Sequence, residues 1–372
     1  MRVLFRVDSG LHIGTGHVMR CLTLANALQA RGVETIFLTR THTGHVVSAL
    51  AVAGHRVETM LGNTGQPYGA HPAPPAHAAW LEADWRSDAA QTRATLQKTG
   101  AEWLVVDHYA LDQAWQEAAM PEHVRLLVID DLADRPHQAS VLLDQNFGRI
   151  SADYAGLVPA GCELRIGPAN ALLRPEFARL RPAALVRRDA MVRPERLLIT
   201  LGGIDLYNAT SRVLDVLAVS PHAIGLKITV VLGENAPHLA AVQTKASNMP
   251  MHTEVAVNVA DMANRMVMAD LCIGAAGSTA WERCALGLPT LQVVLADNQI
   301  SAARHMADDG LTIALPFTDS PGFAEALDSG LEVLGARTAF KNMAHAAAAL
   351  TDGRGAERLA SDLLERTSND AD

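Results

Sequence analysis

Short apolar runs that end in glycine or an acidic residue, each followed by a stretch with helical spacing, recur along this chain and narrow the folds open to it. Arg2 to Val7 reads as a strand and Asp8 to Gly16 as a Gly-rich loop. From His17 to Arg31, Val18, Cys21, Leu22, Ala25 and Leu28 recur at helical spacing, Gly32 takes the position just past the helix, and Val33 to Leu38 reads as a second strand. A helix near 44–53, a strand at Arg56–Met60 and a helix near 84–97 follow. Trp103 to Asp107 and Leu126 to Ile129 are further strands, running into Asp107-His108-Tyr109 and Asp130-Asp131. Strands alternating with helices imply a parallel sheet whose carboxyl edge carries the polar groups.

A second run of the same kind begins after residues 179–196, where arginines and two prolines break the pattern and suggest a linker over 181–195. Arg196 to Leu201 closes on Gly202-Gly203, Lys227 to Leu232 closes on Gly233, and a short strand is expected near 252–257. Leu271 to Gly274 leads through Gly277-Ser278 into a helix from Thr279 to Leu286, and Pro289 to Leu295 precedes Asp297-Asn298-Gln299 and another helix. A length of 372 residues exceeds the usual single domain, and 49% apolar residues suffice for two cores. The expectation is an α/β protein of two Rossmann-like parallel-sheet domains, 1–180 and 196–372, with a cleft between them. Residues 62–79, with four prolines and three glycines, read as a long irregular loop.

A net charge of −9 argues against a general electrostatic grip on nucleic acid or on an anionic membrane. Met1 leads straight into Val3-Leu4-Phe5 without a signal-peptide core, and no run reaches the ~18 apolar residues that span a bilayer, so a cytoplasmic location is expected. Cys21, Cys162, Cys272 and Cys284 form no CxxC pair and read as small buried hydrophobes in a reducing compartment. His12, His17 and His108 have neither HxH nor HExxH spacing, so no metal is expected.

Gly14-Thr15-Gly16-His17 lies between the first strand and the first helix, where glycines admit a ligand to the backbone and the helix start favours negative charge. A helix N-terminus disfavours a cation, and a neutral imidazole there is what a general base needs; a capping or surface histidine fits the same spacing. Asp107 and Tyr109 stand where α/β proteins bind ligands, although a buried aspartate tied to loop amides would look alike. Gly202-Gly203 is either a phosphate loop or a tight turn. Gly274 to Ser278 opens a helix that Ser278 can cap, and Glu282, one turn on, can accept hydrogen bonds from both ribose hydroxyls or be an ordinary first-turn acid. Asn298 and Gln299 both donate and accept, as sugar hydroxyls and phosphate oxygens require.

The run Val3 to Ser9 with Ile13 to Arg20, the segment Val106 to Tyr109, Asp153 to Pro159, Gly202-Gly203-x-Asp205, Ser278-x-x-x-Glu282 and Asn298-Gln299, in that order, resemble the PseG family of UDP-sugar hydrolases of pseudaminic acid biosynthesis. The resemblance covers about residues 1–310 and implies a GT-B-type fold similar to the UDP-GlcNAc transferase MurG. It further implies hydrolysis of UDP-2,4-diacetamido-2,4,6-trideoxy-β-L-altropyranose to free sugar and UDP, by water attack at the anomeric carbon with inversion. His17 matches the family's catalytic histidine. Asp8, Gly14, Gly16, Arg20, Asp107, Tyr109, Gly202, Gly203, Gly277, Ser278, Glu282, Asn298 and Gln299 are carried over as substrate contacts. No cofactor, no metal, a small-molecule partner and a monomer go with that expectation. Cys21 departs from the acidic residue expected at its position in some members. A glycosyltransferase on the same fold, or a non-catalytic nucleotide-sugar binder, would use many of the same residues.

Overall fold

The computed structural model describes residues 1–60, 67–296 and 299–369. The chain divides into two units, Met1–Leu172 with Arg354–Asp372, and Leu173–Gly353.

The first unit strings β1 (Arg2–Val7), α1 (Gly16–Gln29), β2 (Glu34–Thr39), α2 (Val47–Val52), β3 (Arg56–Thr59), α3 (Trp85–Thr99), β4 (Trp103–Asp107), α4 (Gln113–Ala119), β5 (Arg125–Ile129), β6 (Val141–Asp144) and β7 (Glu163–Ile166). All pairings are parallel, in the order β3-β2-β1-β4-β5-β6-β7. Strands covered on both faces read as continuous apolar runs, and β1 shows why. Val3, Phe5 and Val7 pack into one layer with Val18, Cys21 and Leu28 of α1, while Leu4 points into the opposite layer with Leu96 and Trp115.

The second unit follows with α5 (Pro175–Ala190), β8 (Arg196–Thr200), α6 (Ala209–Val219), β9 (Lys227–Leu232), α7 (Leu239–Ser247), β10 (Thr253–Val257), α8 (Met262–Met268), β11 (Leu271–Ala275), α9 (Thr279–Ala285), β12 (Thr290–Val293), α10 (Ile300–Asp308), β13 (Ile313–Leu315), α11 (Phe323–Gly335) and α12 (Arg337–Leu350). Its parallel sheet runs β10-β9-β8-β11-β12-β13. In both sheets the strand order reverses beside the first strand, which opens a crevice at the carboxyl edge between β1 and β4 and between β8 and β11.

Two boundaries differ from the expected ones. The arginine-rich stretch at 181–195 is no linker: most of it belongs to helix α5 of the second unit, and its arginines cap other helices. Arg188, nearly fully buried, donates to the carbonyls of Met266, Val267 and Ala269 at the end of α8, and Arg181 donates to Ala285 and Ala348 at the ends of α9 and α12. Arg187 pairs with buried Asp270. Orphan carbonyls at helix C-termini need donors, and these arginines supply them.

The second difference is α13 (Gly355–Asn369), which belongs to the first unit and not to the domain that precedes it. Ala356, Leu359, Ala360 and Leu363 join the layer formed by α1. Gly355 lies against the backbone of Asn170 and Ala171 with no room for a side chain, so the return of the chain is close-packed. Among the described residues, no helix is long and apolar enough to cross a membrane.

Candidate active site

Parallel register builds the site of the first unit. Val7, the last residue of β1, pairs with Asp107, the last of β4, so Asp107 sits beside the loop that leads into α1. That loop closes on itself through Gly14 N–H donating to the Gly10 carbonyl at 2.8 Å, with Gly14 at φ +80°, where only glycine is unstrained. Gly14 and Gly16 are exposed, and the amides of Gly16, His17 and Val18 donate to no acceptor among the described residues, which leaves the helix start open to an anion.

His17, on the first turn of α1, places Nδ1 2.6 Å from Asp107 Oδ1. Arg20, one turn on, donates to both oxygens of Asp107 at 2.6 and 2.7 Å, and pairs with Asp131 at 2.7 Å. Tyr109 donates its hydroxyl to the same Asp131 at 2.6 Å. Burial alone would push the Asp107 carboxyl up, but Arg20 and His17 hold it well below the usual carboxylate range. An ionised Asp107 can only accept, so the 2.6 Å contact makes Nδ1 the donor and leaves Nε2 as the free nitrogen. Arg20 Nη2 also lies 3.3 Å from Nδ1, but its bond to Asp107 Oδ1 at 2.7 Å is the shorter and decides its role. This is the base-and-orienter arrangement of a proton-abstracting histidine.

Aromatic rings close in around the imidazole. Tyr109 meets it edge-on at 4.7 Å, Trp80 meets it at 6.4 Å and stacks on Tyr109 at 5.5 Å, and His77 packs on both Trp80 and Tyr109. His17 is left 8% exposed. His77 belongs to the segment expected to be an irregular loop and Trp80 directly follows it; Tyr68 and Trp85 anchor the stretch through bonds to the carbonyls of Ala110 and Ala70.

Three residues expected to touch substrate point inward instead. Asp107 and Asp8 have no exposed surface, and Arg20 is buried with its guanidinium taken up by two carboxylates. Asp8 accepts from Arg6 at 2.6 and 2.9 Å and from the Arg40 amide at 2.8 Å, with His42 and His108 also against it. Arg6 in turn pairs with buried Asp88, which also takes Arg40 and the Trp115 indole. Buried charges survive only when paired and hydrogen-bonded, and this network fixes the floor under the loop. No signal along the sequence announced it, since its members come from β1, α3, α4 and the ends of β2 and β4.

In the second unit, Gly202 has φ +96° and is exposed beside Gly203, and Gly233 donates to the Gly203 carbonyl at 2.8 Å. Asp205 caps α6 through the amides of Ala209 and Thr210, which accounts for its place in the motif. Beneath the Gly274–Ser278 segment lies Arg283, buried and donating to the Ala275 carbonyl at 2.7 Å; a Cβ on Gly274 would stand 2.6 Å from its guanidinium. Ser278 makes no capping bond, contrary to expectation, so its hydroxyl and the Gly277 and Ser278 amides are unused by the protein among the described residues. Glu282 lies 3.4 Å from Arg174, and burial pushes its carboxyl up to about 7 against that pull. Gln299 turns its carbonyl oxygen back to the Leu295 amide at 3.0 Å; Asp297 and Asn298 lie outside the described residues. Among the described residues, no group of three or more His, Cys, Asp or Glu is arranged to hold a metal ion.

Residues 198–359 match the glycosyltransferase family 28 C-terminal domain. Over 98% of its length the chain superposes on 99% of the crystal structure of MurG from Acinetobacter baumannii, with a TM-score of 0.69 at 16% identity. The chain has the GT-B fold. The resemblance read from its sequence is borne out as well. It is 24% identical over 314 residues, 84% of its own length and 98% of the relative's, to the UDP-2,4-diacetamido-2,4,6-trideoxy-β-L-altropyranose hydrolase of Campylobacter jejuni. It is also 28% identical over 149 residues to the spore coat polysaccharide biosynthesis protein SpsG of Bacillus subtilis, covering 40% of this GT-B chain and 42% of that one.

Proposed function

We propose that this GT-B protein hydrolyses UDP-2,4-diacetamido-2,4,6-trideoxy-β-L-altropyranose to UDP and the free sugar, by attack of water at the anomeric carbon with inversion. The observation that carries the reading is the His17 imidazole, oriented by Asp107 at 2.6 Å and walled by Tyr109 and Trp80. His17 Nε2 takes a proton from water as the oxygen bonds to the anomeric carbon, and the bond from that carbon to the β-phosphate oxygen breaks as UDP leaves. Asp107 and Arg20 are positioning residues in this scheme. Glu282 accepts from the ribose hydroxyls, and the Gly277 and Ser278 amides, which donate to no acceptor among the described residues, receive the diphosphate charge that grows at departure. Gly14, Gly16 and Tyr109 line the sugar's side, and Gly202 and Gly203 the phosphate's. The enzyme is proposed to act in the cytoplasm, as a monomer, in pseudaminic acid biosynthesis and without metal or cofactor.

Turnover in ¹⁸O-labelled water without any acceptor tests the proposal. Label in the sugar, with inverted configuration in the first-formed product, is the expected result. Label in UDP would place the attack at phosphorus and remove His17 from its role, and no release of free sugar without an alcohol acceptor would make the protein a transferase.

A further inference from the structure

The second unit carries a built feature at the edge of its sheet opposite Gly202 and Gly274. Arg196 opens β8 and Lys227 opens β9, and the two are register partners in a parallel pair. His252 extends the row: it precedes Thr253, which pairs with Ile228, and its carbonyl accepts from the Ile228 amide at 2.9 Å. Neighbouring strands lie about 4.8 Å apart, so the row sets two full cations side by side with an imidazole next to them. Like charges in that position destabilise a sheet unless something offsets them. Among the described residues, neither Arg196, Lys227 nor His252 has a side-chain hydrogen bond or ion pair. Other arginines nearby are spent: Arg187 on Asp270, Arg188 on helix carbonyls, Arg265 on Asp261 at 2.8 Å and on Glu254.

The row borders a groove of about 420 Å³ between these strands and α8, within the usual range for small-molecule sites of about 300–1,000 Å³. Leu198, Met268 and Ala269 give it an apolar wall, with Met268 49% exposed, and both carboxylates of its lining, Asp261 and Glu254, are paired with Arg265. Helix α8 has only seven residues, and beside it Lys227, His252 and Glu254 remain exposed and Thr229 half-buried. Arg196, the first residue of β8, stands six positions before Gly202, about 20 Å at 3.3 Å per residue, so a nucleotide held at that edge does not reach it.

We infer that this groove is a second ligand site, for a small amphipathic anion whose acidic head lies on Arg196 and Lys227 and whose apolar body lies along Met268 and Leu198. On a chain of net charge −9, a pair of unspent cations beside an apolar wall is the complement of such a molecule. The test uses 8-anilinonaphthalene-1-sulfonate as probe, titrated by fluorescence into the full chain with and without saturating UDP. The expected result is saturable 1:1 binding that survives UDP, weakens at least about tenfold in the Arg196→Gln/Lys227→Gln double variant and weakens as salt is raised. Met268→Glu, which leaves both cations in place, should weaken the dye as well, while melting temperature and sugar release stay at parental values in both variants. Dye displaced by UDP, no saturable binding, or equal affinity in the double variant would overturn the inference.

Discussion

Replacing Asp107 with asparagine isolates the element on which the proposed chemistry depends. Asp107→Asn keeps the shape but swaps one carboxylate oxygen for an NH₂ group, in a site with no exposed surface and donors on every side. If the amide oxygen stays on Arg20, the NH₂ faces His17 Nδ1, which must then accept; the proton moves to Nε2 and the base is lost. General base catalysis contributes about 10²–10⁴-fold, so kcat should fall by roughly 10³, or about 4 kcal/mol at about 1.4 kcal/mol per decade. Folding responds too. Removing one partner of a buried ion pair costs about 3–5 kcal/mol, and with Asp131 still on Arg20 the lower end applies, a drop of roughly 10 °C in melting temperature. The two effects separate if UDP release is followed well below the variant's transition and UDP affinity is measured by calorimetry. Glu282 lies in the other unit, so UDP affinity should be unchanged. A folded Asp107→Asn with kcat within about threefold of the parent, far short of the ~10²-fold floor, would refute the dyad.

Other residues give sharper local tests. With the Glu282 carboxyl raised to about 7, the charged form that accepts from ribose is present above that pH and lost below it, so UDP affinity should fall by up to about tenfold per pH unit under 7. Glu282→Gln should flatten that profile, and the comparison cancels the nucleotide's own titration. Gly274→Ala drives a methyl to 2.6 Å from the Arg283 guanidinium and should lower the melting temperature of the chain by roughly 5 °C, for an overpacking cost of about 1–3 kcal/mol, while weakening UDP. Arg188→Met strands three carbonyls at the end of α8, and a loss of at least about 2 kcal/mol in denaturant midpoint analysis is expected without any change in kcat.

Much of the architecture was legible because parallel strands are buried on both faces and therefore written as apolar runs that stop at glycine or aspartate. The runs at Arg2–Val7, Trp103–Asp107, Arg196–Thr200 and Leu271–Ala275 all carry that mark. Strand β6, Val141–Asp144, carries the mark as well but is not singled out by its surroundings, while β7 alternates polar and apolar residues and β13 has only three. His17 and Asp107 could each be singled out, but their pairing across 90 residues depends on the β1–β4 register, which no local pattern encodes. Reading arginines 181–188 as linker failed for a related reason. Their partners are helix carbonyls distant in sequence, and local composition reports only that the residues are charged. Trp80 was invisible because its flanking prolines and glycines signal irregular backbone, whereas its role comes from where that backbone delivers one ring.

That ring bears on why water should be the nucleophile at all. A histidine oriented by a carboxylate can deprotonate an alcohol as readily as water, so the dyad alone does not distinguish hydrolysis from transfer. What differs is access. Tyr109 and Trp80 pack around the imidazole, and buried Arg135 sits 5.7 Å from the centre of the Tyr109 ring and stiffens the wall. The expected consequence of these rings is that water reaches the imidazole and a larger hydroxyl compound does not. Trp80→Ala removes the outer ring and leaves Asp107, Arg20 and Tyr109 in place. Losing a stacked aromatic partner worth about 0.5–1.5 kcal/mol should lower kcat/KM by about 2- to 13-fold. The informative readout is partition. In water–methanol mixtures the parent should give free sugar almost alone, and Trp80→Ala should add methyl glycoside of the same inverted configuration. Methanol then enters where water did, its proton passes to His17 and UDP leaves as before. An unchanged product ratio would mean that the aromatic wall does not select the nucleophile, and the preference for water would have to arise from how the sugar itself is held.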